Sequence, residues 1–228
     1  MDAAKADLMR ALGRLARGLS TLFWCLPLTL VAQVETGRTD WVGFLGAFAF
    51  VPALVLSGLL WHGLRQLRDF QRQERVWQQA LDRAEFLAIV NAGLSPFLFW
   101  WHRFPLVPLY IVCVDFLAVA GLLFLMQLNR VLLRLSAMLP DEMLRLETRT
   151  FTGLNIWMLL AVLAGFSAER ILRGVLGAPR LLGAFPWGLQ EAAVWLALFF
   201  ALMPVAMTLA LLWKIKEAIF TSLIETER

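Results

Sequence analysis

The sequence predicts an all-α, polytopic membrane protein that forms a single transmembrane domain over residues 1–228, and three observations lead to this prediction. Six long apolar stretches divide the chain. Hydrophobic residues make up 60% of it and charged residues only 17%, which exceeds what a water-soluble fold of this size can bury. The stretches are continuous and do not alternate with period two, so helices are favoured over a barrel in lipid.

Each apolar stretch approaches the ~20 residues that a helix needs to cross the hydrocarbon core. Consecutive stretches pair into three hairpins with turns on the outer side, and longer charged connections join the hairpins on the inner side. The predicted transmembrane helices occupy residues 19–34, 41–64, 86–101, 106–128, 152–168 and 189–213.

The distribution of positive charge predicts that the N- and C-termini both lie inside. With six crossings, 16 of the 21 lysines and arginines fall on the inner side and 5 on the outer side. If the stretch 86–101 only dipped into the membrane, the split would be 13 to 8. Because lysine and arginine concentrate on the cytoplasmic side of membrane proteins, six spans fit the sequence better.

The first inner connection, 65–85, predicts an amphipathic helix that continues out of the second span. Its apolar side chains recur at steps of three and four residues, at Leu67, Phe70, Trp77, Leu81 and Ala84. We expect this stripe to pack on the protein's own second inner connection or to lie at the headgroup layer. The alternative is a docking helix for a partner subunit.

The other two long connections also contain helical signals. In 129–150 the fourth span overruns and a new helix follows, with Pro140 at its first position and two acidic residues at its positive end. The outer connection 169–188 mixes arginines with aliphatic residues. It predicts an interfacial segment that lies along the membrane and is broken at Pro179.

Asp115 is the one carboxylate well inside a predicted span, close to its middle. A charge at that depth costs at least ~2.5–3.5 kcal/mol, so the residue needs a partner or a proton. Reflection through the tight turn before this span lands on Asn91 and Ser95, which lie four residues apart on one helix face. We therefore predict that Asp115 hydrogen-bonds to Asn91, Ser95 or both. The contact is either a polar staple between two helices or a protonatable site for a coupling ion or substrate.

Prolines and small residues lie within the predicted spans. Pro27, Pro52, Pro96 and Pro204 lie within spans one, two, three and six, where an interior proline bends a helix and broken helices line transporter sites. Small residues at four-residue steps predict packing seams within the bundle, at Ala49-Ala53-Ser57, Ala161-Gly165 and Ala197-Ala201. A weak internal repeat with an offset of 64 pairs Asn91 with Asn155.

No catalytic or cofactor motif stands out. The chain has no His-Glu-x-x-His, no Gly-x-Ser-x-Gly elbow and no glycine-rich phosphate loop. His62 and His102 fall at opposite ends of the membrane, so they cannot jointly ligate a haem. We therefore expect no enzyme activity, no cofactor and no metal site. Attraction to anionic lipid headgroups accounts for the net charge of +4 without nucleic acid.

These observations favour a non-enzymatic accessory or scaffold subunit of a membrane assembly. The alternative is a small-solute transporter or substrate-binding membrane component with a polar site around Asp115, Asn91 and Ser95. The excess of 18 arginines over 3 lysines is typical of a GC-rich bacterial genome, so we expect the bacterial inner membrane as the location.

Overall fold

Seven α-helices account for 93% of the residues that the computed structural model describes, and no strand occurs among them. The described residues are 2–38, 46, 48–70, 73–139, 142–176 and 187–227. The helices are α1 (Asp2–Arg38), α2 (Val51–Leu67), α3 (Arg75–Leu94), α4 (Pro96–Arg103), α5 (Pro108–Met138), α6 (Glu142–Leu176) and α7 (Trp187–Glu227). The predicted all-α class is confirmed.

Among the described residues, five helical segments are long and apolar enough to cross a membrane, as in a multi-pass membrane protein. They are Arg10–Arg38, Arg75–Arg103, Pro108–Met138, Glu142–Leu172 and Leu198–Thr221. The second of them contains a break, because α3 ends at Leu94 and α4 begins at Pro96. Pro27 and Pro204, by contrast, lie inside the continuous helices α1 and α7.

The second predicted span, 41–64, differs most from its prediction. Its helix α2 begins at Val51, and Pro52 stands in the first turn rather than in the interior, where proline costs no hydrogen bond. The helix has 17 residues. At the helical rise this is about 25 Å, less than the ~30 Å of hydrocarbon core. Residues 41–45 lie outside the described part of the chain, so the sixth span and the orientation of the termini stay predictions.

The connection 65–85 is not one helix. α2 ends at Leu67 and α3 begins at Arg75, so the predicted continuous helix is wrong. The break lets both halves of the apolar stripe enter the core. Leu67, Trp77, Leu81 and Ala84 are each 0% exposed, and Phe70 packs against them. The stripe that we considered as a docking face is therefore covered by the chain itself.

The described residues of the other two long connections are mostly helical. α5 runs on to Met138 and α6 begins at Glu142, while Pro140 and Asp141 lie outside the described residues. α6 continues to Leu176, so the first part of 169–188 extends this helix. Pro179 also lies outside the described residues. The extension of α6 matters below because it fixes the position of Arg170.

The helices contact one another in a ring. α1 contacts α2, α2 contacts α3, α3 contacts α5, α5 contacts α6, α6 contacts α7, and α7 returns to α1. α5 also contacts α7. This arrangement places α5, α6 and α7 around a common line of contact, where the buried polar residues described below meet.

Glycines bring α1 and α2 together. A Cβ atom on Gly18 would lie 2.9 Å from the carbonyl oxygen of Gly63, closer than real Cβ atoms come to backbone. In the predicted seams, Ala53 and Ser57 of α2 are buried, whereas the small residues of α6 and α7 are exposed at Ala161, Gly165 and Ala201. The prediction of seams within the bundle is therefore wrong for α6 and, at Ala201, for α7.

Candidate functional site

Asp115 pairs with an arginine. The Arg170 guanidinium on α6 donates a hydrogen bond to the Asp115 carboxylate on α5, and the two side chains are 34% and 30% exposed. Asp115 is the eighth residue of α5, about 10 Å from the start of that helix. The pair thus ties α5 to α6 near the end where α5 begins and α6 finishes, and each charge neutralises the other.

Asn91 and Ser95 do not join Asp115. The Asn91 amide donates to the carbonyl of Leu87 at 2.9 Å, and the Ser95 hydroxyl donates to the carbonyl of Ala92 at 2.9 Å. Both bonds are local to their own stretch of helix. The prediction that Asp115 bonds to either residue is wrong.

The physical reason lies in α6. Because that helix runs through Arg170, a guanidinium reaches the level of Asp115, and a charged donor bonds a carboxylate more strongly than an amide or hydroxyl does. Asn91 instead lies against Gly121, where a Cβ atom would be 3.7 Å from the Asn91 side-chain oxygen. Gly121 is six residues farther along α5 than Asp115, or about 9 Å.

A second polar group connects three helices and was not predicted. The asparagine cluster consists of Asn129 on α5, Asn155 on α6 and Thr208 on α7, each 0% exposed. Asn129 donates to the Thr208 hydroxyl at 2.8 Å. Asn155 donates to the side-chain oxygen of Asn129 at 3.0 Å and to the Thr208 hydroxyl at 3.0 Å. Each member therefore contacts both of the others.

The cluster attaches to α7 at the carbonyl of Pro204. This carbonyl accepts from Thr208 at 2.8 Å and from Asn155 at 3.2 Å. Pro204 has no N–H, so the helical bond that it removes is the one to the carbonyl of Phe200, one turn before the cluster. In the sequence, Asn155 stands out only as the repeat partner of Asn91. Amides and hydroxyls inside apolar stretches are the signal that could have found the cluster.

Charged residues form a separate group around the break between α2 and α3. Arg14 of α1 pairs with Asp69, and Arg68 pairs with Asp82 and, at 3.4 Å, with Glu85 of α3. The Arg14–Asp69 and Arg68–Asp82 pairs are partly or largely exposed, so each contributes little stability, whereas the Glu85 side chain is only 11% exposed. Their role is to hold the N-terminal half of α1 and the start of α3 to the end of α2.

A similar pair joins α6 to α7. The Lys214 ammonium lies 2.8 and 2.7 Å from the two carboxylate oxygens of Glu147. Within the described part of the chain, no group of three or more His, Cys, Asp or Glu residues could hold a metal ion. The ion pairs of these charged residues join one helix to another.

One stretch of α7 lies outside the packed bundle. We call residues 195–202 the open segment, because every residue in it whose burial is described is exposed: Trp195, Leu196, Leu198, Phe199, Phe200, Ala201 and Leu202. Successive helical residues are turned by about 100°, so residues 198–202 cover the whole circumference. Among the residues whose burial is described, none on any face of this segment is buried.

Comparison with models of protein families, with curated proteins and with solved structures gives no match for this chain.

Proposed function

We propose that this protein is a non-enzymatic subunit of a membrane-embedded assembly, with an accessory or scaffolding role. The observation that carries the proposal is the open segment of α7. A helix within a bundle ordinarily has one face on its neighbours, whereas this segment exposes aromatic and aliphatic side chains in every direction.

The chemistry of the segment supports a protein neighbour. Lipid tails are as apolar as leucine, so helices associate in membranes through close van der Waals packing rather than through a hydrophobic driving force. Trp195, Phe199 and Phe200 are 64%, 60% and 50% exposed and offer large rigid surfaces for such packing. Aromatic side chains dominate the energetics of many protein interfaces.

The buried polar residues support a structural role over solute binding. A transport site around Asp115, Asn91 and Ser95 requires the three to converge, but Asp115 pairs with Arg170 and the other two bond within their own stretch of chain. The members of the asparagine cluster likewise bond to one another and to backbone carbonyls of α5 and α7. These contacts favour the structural role over the transporter alternative. The proposal keeps the bacterial inner membrane as its location.

The proposal is tested by purifying the full-length protein in mild detergent and measuring the mass of the complex that contains it. Phe199→Ala changes the open segment, and Phe116→Ala is the matched control, because Phe116 on α5 is 64% exposed and Phe199 60%. We expect a defined complex for the wild type and for Phe116→Ala, and its loss for Phe199→Ala. A monomeric wild type, or equal complexes for both variants, would contradict the proposal.

A further inference from the structure

The asparagine cluster uses every hydrogen that it possesses. Its two amides and one hydroxyl carry five side-chain hydrogens. They supply six bonds, namely the Asn129 bond to the carbonyl of Leu125 at 2.8 Å and the five bonds to Thr208, Asn129 and Pro204 given above, so one hydrogen of the Asn155 amide is shared between two acceptors. The side-chain oxygen of Asn155, although fully buried, receives no hydrogen bond from any described residue. The cluster therefore lacks one donor.

Turning the Asn155 amide over does not supply that donor. The exchange would place the Asn155 oxygen where its nitrogen now lies, next to the oxygen of Asn129, the carbonyl of Pro204 and the Thr208 hydroxyl. The first two are acceptors, and the one hydrogen of the hydroxyl already bonds the Pro204 carbonyl, so the exchange would bring oxygens together without enough hydrogens between them. The present orientation is the one that the surrounding acceptors select, and it leaves the Asn155 oxygen unpaired.

Two threonine hydroxyls on the same face of α6 are also buried without a hydrogen-bond partner among the described residues. Thr148 and Thr152 precede Asn155 at steps of four and three residues and are 0% and 1% exposed. Neither hydroxyl has a hydrogen-bond partner among the described residues. Other buried hydroxyls in these helices donate to the carbonyl four residues earlier, as Thr29 does to Cys25 at 2.6 Å and Ser57 does to Ala53 at 2.8 Å.

The ligand that completes these groups must both donate and accept. Asn155 needs a donor, whereas each threonine hydroxyl has a hydrogen to give and lone pairs to fill. A metal cation would bind the oxygens but leave the hydroxyl hydrogens without acceptors. Water meets both requirements, and polar sites inside proteins are where buried water is retained.

We propose that Thr148, Thr152 and Asn155 form an internal hydration site, occupied by water molecules that run along α6 to the turn of α7 between Pro204 and Thr208. The site is independent of the proposed assembly, because it lies on the opposite side of Pro204 along α7 from the open segment.

The hydration site is tested by whether the substitution Thr152→Val lowers or raises the Tm. Thr152→Val removes the hydroxyl and keeps the shape of the side chain. If water bonds this hydroxyl, the variant loses those bonds and we expect the Tm of the purified full-length protein to fall by about 2–4 °C. If the hydroxyl is dry and unpaired, its removal raises the Tm, and that result would overturn the proposal.

Two controls make the test specific. Thr29→Val removes a buried hydroxyl that already bonds its own helix, so we expect a smaller fall than for Thr152→Val. Thr152→Ser keeps the hydroxyl and should recover part of the loss. An experimental structure at a resolution that shows ordered water gives an answer that does not depend on variants. Density within hydrogen-bond distance of the Asn155 oxygen is expected, and its absence there would refute the site.

Discussion

Asp115 and Arg170 show how a charge in an apolar helix selects its partner. The sequence identifies Asp115 as unusual from its depth alone, because apolar surroundings make an isolated carboxylate costly. The partner could not be found in the same way. Arg170 follows Glu169 in a stretch that the sequence predicts to be a surface connection, and only the continuation of α6 brings it to the level of Asp115.

Asp115→Asn is expected to destabilise the protein. It leaves the half-buried Arg170 guanidinium without its counter-charge, and we expect a loss of about 1–2 kcal/mol in the free energy of unfolding, between the values of exposed and buried pairs. The measurement is denaturant unfolding of Asp115→Asn, Arg170→Gln and the double variant. Additive losses in the double variant would show that the two side chains do not interact.

Asn155→Ala is expected to cost more stability than Asn91→Ala. The Asn155 amide bonds α5 and α7, so its loss leaves buried acceptors on two other helices and should lower the free energy of unfolding by about 1–3 kcal/mol. The Asn91 amide bonds its own helix, which makes it a matched control. Equal losses would mean that the asparagine cluster does not hold α5, α6 and α7 together.

The helices show what apolar patterning predicts and where it fails. Continuous apolar stretches located the helices well, because helix formation in lipid depends mainly on composition and length. The break between α2 and α3 was not predicted because residues 68–74 contain no glycine or proline, although the apolar stripe skips from Phe70 to Trp77. Tertiary packing creates the break, since Leu67 and Trp77 both enter the same core.

The contact between α1 and α2 depends on Gly18. We expect Gly18→Ala to lower the free energy of unfolding by about 1–3 kcal/mol, because the added methyl group meets the backbone of Gly63 and the two helices must separate. Gly13→Ala is the matched control, since a Cβ atom there meets nothing within 4 Å and alanine favours the helix. Similar effects of the two substitutions would contradict this account of the packing.

At the scale of the molecule, the topology depends on α2. Five segments have spanning length, and five crossings would leave the termini on opposite faces, whereas the 16 to 5 charge distribution favours six. We expect α2 to make the sixth crossing despite its 17 helical residues. Reporters fused at each terminus should fall in the same compartment. Reporters on opposite faces would remove α2 from the crossings and invalidate the predicted orientation.

The central claim is that another protein covers the open segment of α7, and site-specific photo-crosslinking in native membranes tests it most directly. A photoreactive residue in place of Phe199 is compared with one in place of Phe116, which is equally exposed on α5. The account predicts a crosslink to one defined protein partner from position 199 and only lipid adducts from position 116. Lipid adducts alone from position 199 would contradict it.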